Sequence, residues 1–259
     1  LTPEESESLT VGVFWEPSFV DNLSISLDYY SIEIEDAIID VTAQNIADNC
    51  VDASGGPDEA FCNQVDRDSI THDISLVRSG FINASALNTE GVEVQVSYNL
   101  DLEVFDLPGN LNFNLLANNL IEYEIFEFQN RPDEINVEQG EIGDPEIEGR
   151  LSTSYSLDDF SITWSMKYTD RVVTYDVSPI DGGSPEDLSY GYVPSQTIHD
   201  LTSTYRFNDM VSVGFGIRNM FDKTPPGYVS NAGTSVSATN AAGYDVIGRR
   251  VFGNVKVVF

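Results

Sequence analysis

The sequence predicts an all-β fold, an antiparallel transmembrane β-barrel fragment of about nine long strands, and three observations support this prediction. Apolar and polar residues alternate along segments of about ten residues, a length that crosses a bilayer at a tilt, whereas strands of soluble domains usually have about five or six residues. The connections between these segments alternate between short and long, and the chain stops on an aromatic residue, Phe259. Together these features favour membrane-spanning strands with short periplasmic turns and long extracellular loops.

The alternation can be followed from the first strand to the last. In residues 160–168 every second side chain is apolar and the others are Ser, Thr or Lys, so the two faces of this strand differ. Residues 79–99 are taken as one strand, because a hairpin around Asn88 would put the long loop before it on the short-turn rim. A change of phase near Tyr29 and Tyr30 predicts a β-bulge there. The predicted strands are 7–17, 22–38, 79–99, 110–126, 147–156, 160–171, 196–207, 211–221 and 246–259.

The connections separate into two classes in strict order along the chain. A soluble β-sandwich has no reason to sort its loop lengths in this way, whereas a barrel in the outer membrane has short turns on one rim and long loops on the other. Because nine strands would not complete a larger barrel, we expect unpaired edges at the first and the last strand. The short connections are 17–22, 100–109, 157–159 and 208–210, and the long ones are 39–79, 127–148, 172–195 and 222–245.

The terminal strand taken alone has two interpretations. Val251 and Val255 share a face with Phe259, while the opposite face carries Arg250 and Lys256. This pattern fits the closing strand of a membrane barrel, but it also fits a half-buried strand of a soluble sheet. Strand length and loop order, rather than this strand, favour the barrel.

The charge of the chain is strongly acidic. It has 43 Asp and Glu against 12 Lys and Arg, a formal net charge of -31, which excludes a general affinity for nucleic-acid phosphates. Many of the carboxylates fall in the long loop after Phe126, where they lack a fixed ligand spacing and indicate a solvated exterior surface rather than a metal site. Mean hydropathy is −0.17, as expected where polar lumen residues offset lipid-facing ones.

The two cysteines, Cys50 and Cys62, lie in one segment rich in Gly, Pro and Asp. We predict a disulfide that closes this loop in an oxidising compartment, and two unrelated thiols are the alternative. Zinc is not expected, because the only histidines, His72 and His199, have no ligand spacing. The sequence does not begin with a signal peptide, so we expect that an N-terminal part of the protein precedes residue 1.

Three motifs resemble those of TonB-dependent outer-membrane receptors. They are Asn219–Lys223 followed by Pro225, the strand that contains Asn88, Gly91 and Glu93, and the Gly248–Arg250 entry to the last strand. The resemblance covers residues 1–259 as the C-terminal portion of the family's barrel, which has about 22 strands and a plugged lumen. It implies that the plug, the earlier strands and the N-terminal region that contacts TonB are missing here.

The resemblance also implies a function and partners. The whole protein would be a receptor in the outer membrane of a Gram-negative bacterium that imports a scarce, bulky nutrient with TonB-delivered energy. Such a cargo is a siderophore-bound iron, an oligosaccharide or a vitamin. The expected partners are outer-membrane lipid, TonB, a small-molecule ligand and the barrel-assembly machinery, which reads the terminal Phe259 in this family. No cofactor and no enzymatic activity are expected.

Candidate ligand-binding residues come from the long loops, which contain aromatic side chains and few bases. Arginine-rich loops would suit anionic ferric catecholates, whereas aromatic rings stack on sugars or apolar ligands. The same rings could instead form the interfacial girdle of the barrel or pack the loops. The candidates are Tyr175, Tyr190, Tyr192 and Tyr228.

Two alternatives from other classes remain at this point. A secreted, acidic, calcium-binding β-sandwich would explain the Gly-rich acidic loops but not the long strands or the sorted connections. An outer-membrane barrel enzyme would need a catalytic constellation, for which His199 and Asp200 are the only suggestive pair.

Overall fold

The computed structural model describes residues 1–51, 59–126, 135–173, 192–227 and 244–258. Two compact units are distinguished within the chain. The first consists of Leu1–Glu7, Ile32–Asn88 and Ile125–Asn136, and the second of Ser8–Ser31, Thr89–Glu124 and Val137–Phe259. No helix in the described ranges is long and apolar enough to cross a membrane.

Strands dominate the described residues. In chain order they are β1 (Glu5–Trp15), β2 (Leu23–Val41), β3 (Val65–Arg67), β4 (Ile74–Val77), β5 (Gly80–Asp101), β6 (Asn110–Phe126), β7 (Ile135–Val137), β8 (Ile147–Leu157), β9 (Phe160–Thr169), β10 (Val172–Val173), β11 (Tyr192–Val193), β12 (Gln196–Arg206), β13 (Val211–Arg218) and β14 (Arg250–Val257). The helices are α1 (Ala43–Val51) and α2 (Glu59–Cys62), with a 3-10 helix at Leu102–Phe105.

Nine of these strands form one sheet in the order of the chain, β1-β2-β5-β6-β8-β9-β12-β13-β14, with β7 paired to β6. The registers from β6 to β14 are antiparallel throughout. This order confirms the predicted antiparallel barrel wall, and it does not support the alternative of a two-sheet sandwich. Within the described residues β1 and β14 lie at the two ends of the order, as expected for the predicted unpaired edges.

The two rims differ as predicted. Among the nine strands of the main sheet, the connections 16–22, 102–109, 158–159 and 207–210 are short, and those from β2 to β5, β6 to β8, β9 to β12 and β13 to β14 are long. Asn22, Asp106 and Asp158 in the short turns have positive φ angles of 58°, 58° and 48°. Asn and Asp adopt this left-handed conformation more readily than other residues with a Cβ, so these positions reverse the chain within a few residues.

The alternating sequence separates an apolar from a polar face. Trp164 lies opposite Leu201 on the apolar face, while Ser165 lies opposite both Ser152 and Asp200 on the polar face. Apolar side chains on β13 and β14 are exposed, for example Phe215 at 50% and Val255 at 66%. Apolar exposure on one face of long strands is what lipid contact requires, because the bilayer core solvates such side chains.

The first unit contains local structure within the segment 39–79, which the sequence predicts to be a long loop. Its core consists of Val41, Ile46, Cys50 and Phe61, from the end of β2, α1 and α2. A disulfide joins Cys50 to Cys62, which confirms the predicted bridge. Thr42 caps α1, since its hydroxyl accepts a hydrogen bond from the backbone N–H of Asn45 at 3.2 Å. This cap, with Ile46 and Cys50 at helical spacing, is the sequence signal for α1 that was missed.

Several strand boundaries differ from the predicted ones. β13 ends at Arg218 rather than at 221, because Asn219 has a φ of 48° and turns the chain. β14 begins at Arg250 rather than at 246, after Gly248 with a φ of 78°. β2 has a positive φ at Asp36, further along the strand than the predicted bulge near Tyr29, which stays a prediction.

Candidate functional site

A pocket of about 340 Å³ lies on the polar face of β5, β6, β8 and β9. The strand alternation positions its side chains, because residues two apart on a strand share a face. Glu148 and Arg150 thus lie on the same face of β8, and Lys167 lies on that face of the neighbouring strand β9. The residues that line the pocket include Glu93, Leu116, Asn118, Glu148, Arg150 and Lys167.

The two cations of this pocket are direct cross-strand neighbours. Arg150 pairs in register with Lys167 on one side and with Leu116 on the other. Like charges directly opposite each other in a sheet repel. Within the described residues neither side chain forms a salt bridge or a hydrogen bond with another residue. The two cations share this pocket with the carboxylates of Glu93 and Glu148, so positive and negative groups are present in equal number.

A smaller cavity of about 40 Å³ adjoins this pocket and shares Glu148 and Lys167 with it. Tyr244 lines this cavity and also packs against a buried cluster of Ile142, Val172 and Val193. The cluster forms where β10 pairs with β11. In the loop beside it, burial raises the pKa of the Asp144 carboxyl.

The turn after β13 is built around a fully buried side chain, Asn219. The side-chain amide of Asn219 donates to the carbonyl of Lys223 at 2.9 Å and accepts from the backbone N–H of Lys223 at 2.8 Å. The backbone N–H of Asn219 donates to Asp200 Oδ1 at 2.8 Å. Asp222 Oδ1 accepts from the Arg249 N–H at 2.9 Å. Two of the motifs singled out in the sequence, Asn219–Lys223 and Gly248–Arg250, are therefore held together.

His199 and Asp200 lie on opposite faces of β12. The His199 ring stacks on Trp164 with a centroid distance of 5.5 Å and meets Phe221 edge-on at 5.0 Å. Asp200 instead accepts the hydrogen bond from Asn219 on the polar side. A catalytic relay needs the two side chains within hydrogen-bond reach, so this pair does not form the constellation that the enzyme alternative requires.

Residues 1–220 match the family of TonB-dependent receptor-like β-barrels. The chain belongs to this family. Members of the family are proteins of the Gram-negative outer membrane, and this is the membrane in which the strands lie. The family comprises receptors and transporters rather than enzymes. No curated protein matches the chain in sequence.

Solved structures share the fold. A mutant of the ferric enterobactin receptor PfeA from Pseudomonas aeruginosa has a TM-score of 0.63 and 18% identity, with 99% of this chain and 31% of that chain covered. The siderophore receptor PirA from Acinetobacter baumannii has a TM-score of 0.60 and 16% identity, with 100% of this chain and 32% of that chain covered. The FrpB iron transporter from Neisseria meningitidis has a TM-score of 0.57 and 14% identity, with 98% of this chain and 31% of that chain covered. The chain thus spans about a third of these structures.

Among the four predicted ligand-binding tyrosines, Tyr192 is placed by the structure. It lies half-buried in β11, and the Arg171 guanidinium covers its ring at 4.7 Å from the centroid. Tyr175, Tyr190 and Tyr228 lie outside the described residues, as does Phe259. A role in ligand binding stays a prediction for all four tyrosines.

The residues of the polar pocket were not predicted as a site. The alternation put Glu93 and Lys167 on the polar phase of their strands, where the barrel lumen explains them without a site, and Arg150 was not assigned to a face. Only the register shows that Arg150 faces Lys167, and register depends on pairing between distant segments. The clue in the sequence was the presence of bases on the polar phase of a chain with 12 bases and 43 acids.

Proposed function

We propose that this chain forms the C-terminal barrel wall and extracellular loops of a receptor that imports a scarce, bulky nutrient with TonB-delivered energy. The observation that carries the proposal is the family match over residues 1–220 of a chain whose nine long strands follow one another in a single sheet. Residues 1–259 are proposed as one portion of that barrel. The plug, the earlier strands and the TonB-contacting region would lie in other parts of the full-length protein.

The proposed partners follow from the faces of the sheet. Outer-membrane lipid would contact the apolar face, where Phe215 and Val251 are exposed. The small-molecule ligand would contact the polar face and the long loops. The barrel-assembly machinery would read the terminal aromatic residue, Phe259, and TonB would bind a region outside this chain.

The cargo is proposed only as a class: siderophore-bound iron, an oligosaccharide or a vitamin. The names of the structural relatives include a ferric enterobactin receptor and an iron transporter, but at 18% and 14% identity the likeness concerns the fold. The aromatic side chains of the long loops support a sugar or another ligand with a stacking surface.

Uptake by cells tests the proposal. The full-length protein is expressed in its host and in an otherwise identical strain without TonB, and both are offered labelled ferric siderophores, cobalamin and oligosaccharides. TonB-dependent accumulation of one ligand would support the receptor and identify its cargo. Accumulation that is equal in the two strains would contradict the energy coupling, because a TonB-driven receptor requires TonB for net import.

A further inference from the structure

Three long loops of the second unit contribute side chains to one buried cluster, here called the loop cluster. Ile142 belongs to the connection between β6 and β8, and Val172 and Val193 lie at the two ends of the connection between β9 and β12. Tyr244, from the connection between β13 and β14, packs against them. Val193 is 0% exposed and Val172 2% exposed. Residues of this chain are sufficient to bury them, so the contacts do not depend on other parts of the full-length protein.

Backbone hydrogen bonds join two of these loops beside the loop cluster. The Val173 N–H donates to the carbonyl of Gly140 at 2.8 Å, which ties the β9–β12 loop to the β6–β8 loop. The Gly140 N–H donates to the carbonyl of Asp144 at 2.8 Å and closes a turn that contains Ile142. Gly140 and Gly143 have φ angles of 81° and 115°, in the region that favours glycine. The turn therefore holds Ile142 in the loop cluster by its backbone geometry.

Two side-chain contacts hold the β13–β14 loop in the same place. The Arg250 guanidinium binds the Asp245 carboxylate at 2.8 Å, and the Asp245 side chain is only 18% exposed. Arg250 is the first residue of β14, so this ion pair ties the neighbour of Tyr244 to the main sheet. At the other end of the loop, the side chain of Gln196 donates to the carbonyl of Thr224 at 3.0 Å. Gln196 is the first residue of β12, so this bond links the β13–β14 loop to the end of the β9–β12 loop.

We propose that the loop cluster makes these three loops one cooperative unit, in which Tyr244 is a positioning residue held by the Asp245–Arg250 ion pair. Side chains that share one buried cluster are coupled, because the loss of one leaves a cavity and removes contacts from the others. The three loops therefore open and order together, and a contact that stabilises one stabilises all three. The inference goes beyond the proposed function, since it concerns the equilibrium of the loops and holds for any cargo.

Amide hydrogen exchange in the full-length receptor, purified in detergent, tests this coupling. The variant Tyr244→Ala shortens the side chain that the β13–β14 loop contributes. We expect exchange at the amides of Gly140 and Val173, in the other two loops, to become faster by about tenfold, because local opening then costs less free energy. The amide of Trp164 in β9 should keep its wild-type rate, since the loops open without the barrel wall.

Two matched variants separate positioning from general damage to the β13–β14 loop. Ile247→Ala shortens an apolar side chain of the same loop that is 68% exposed, and it should leave exchange in the other two loops unchanged. Tyr244→Phe keeps the ring, so exchange in those loops should be slower than in Tyr244→Ala. Equal effects of Tyr244→Ala and Ile247→Ala would overturn the role of the loop cluster.

The coupling is also measured in the opposite direction, because coupling between two sites is reciprocal. Val193→Ala changes the β9–β12 loop, and it should speed exchange at the Ile247 amide, which donates to Asp245 Oδ1 at 3.1 Å in the β13–β14 loop. Arg250→Gln removes the ion pair to Asp245 and should speed exchange at Gly140 in the manner of Tyr244→Ala.

The distribution of the changes decides the proposal. Faster exchange that stays within the loop of each variant would overturn the cooperative unit. Faster exchange that extends equally into β9 would overturn it as well, because the loops would then have no opening of their own. Uptake that is equal in strains with and without TonB contradicts the proposed function, and it leaves the exchange result in the three loops unaffected.

Discussion

Asn219 and Lys223 exchange two hydrogen bonds across the turn that follows β13. The Asn219 amide donates to the Lys223 carbonyl at 2.9 Å, and the Lys223 N–H donates to Asn219 Oδ1 at 2.8 Å. The side chain is fully buried, and its backbone has a φ of 48°. The side-chain amide of Asn219 thus supplies hydrogen-bond partners to the backbone of Lys223, beyond the end of β13. An asparagine at the first position of this motif can both make these bonds and adopt the left-handed backbone conformation.

Replacing Asn219 by alanine should destabilise the barrel by about 1–3 kcal/mol, because the Lys223 N–H and carbonyl lose their buried partner. The left-handed backbone adds strain for a residue without the amide. Thermal unfolding of the purified full-length protein measures the effect. Asn110→Ala, on an exposed side chain at the start of β6, is the control and should change little. Equal stability of the two variants would contradict the role of Asn219.

Gly216 should not tolerate a larger residue. A Cβ at this position would collide with the Phe252 ring of the neighbouring strand, and Arg218 lies over the same ring at 5.8 Å. Gly216→Val should therefore weaken the β13–β14 pair by about 1–3 kcal/mol through overpacking. The control is Gly253→Ala in β14, where the nearest atom to a Cβ is the Gly214 carbonyl oxygen at 3.6 Å. We expect the unfolding temperature to fall for Gly216→Val alone.

Loss of the Cys50–Cys62 disulfide should loosen the small core of the first unit while the strands of the second unit stay folded. The bridge joins residues with a sequence separation of 12. A disulfide that closes a loop of this size stabilises the folded state by about 3 kcal/mol, because it restricts the unfolded chain. Limited proteolysis with mass spectrometry should show new cleavage within α1 and α2 of the Cys50→Ser, Cys62→Ser variant. Ser18→Ala in the short turn before β2 serves as a control, and an unchanged cleavage pattern in the double variant would contradict the prediction.

Asp68 should make the β3–β4 hairpin sensitive to acid. Hydrogen bonds from the backbone N–H groups of Thr71 and Ile70 to its carboxylate lower the pKa of Asp68. Because the folded pKa lies below the unfolded one, this stabilisation is present above the unfolded pKa and is lost as pH falls through the folded pKa. Amide hydrogen exchange at Ile70 and Thr71, corrected for the intrinsic pH dependence of exchange, should show less protection at low pH.

A matched pair of variants checks this prediction. Asp68→Asn should remove the acid sensitivity, since an amide oxygen accepts without titrating, whereas Asp73→Asn should leave it unchanged. Acid sensitivity that persists in Asp68→Asn would show that another group causes it.

The strands show how much of this fold is readable from the sequence. The alternation in residues 160–168 and the order of short and long connections predicted β9, its faces and its neighbours, because both depend on residues adjacent in the chain. The small helices beside Cys50 were missed because their stability comes from contacts with Val41 and Phe61 rather than from a long periodic pattern.

The candidate site, in contrast, could not be predicted from local sequence. Local sequence put Lys167 on the polar phase of its strand, and aromatic content directed attention to Tyr192, whose ring the structure covers with Arg171. That Arg150 faces Lys167, with Leu116 on its other side, follows from the register of three strands. Register is set by the whole sheet, and a shift of one residue would move these side chains to the other face.

The sequence by itself determined the barrel class, the order and faces of the strands, the two rims and the disulfide, because these follow from periodicity, loop length and the paucity of cysteine. Only the tertiary structure decided the elements inside the long loops, the closure of the Asn219 turn on Asp200 and Arg249, and the grouping of charges on the polar face. These features join residues distant in the chain, and the free energy that selects them comes from packing and hydrogen bonds between strands rather than from local preference.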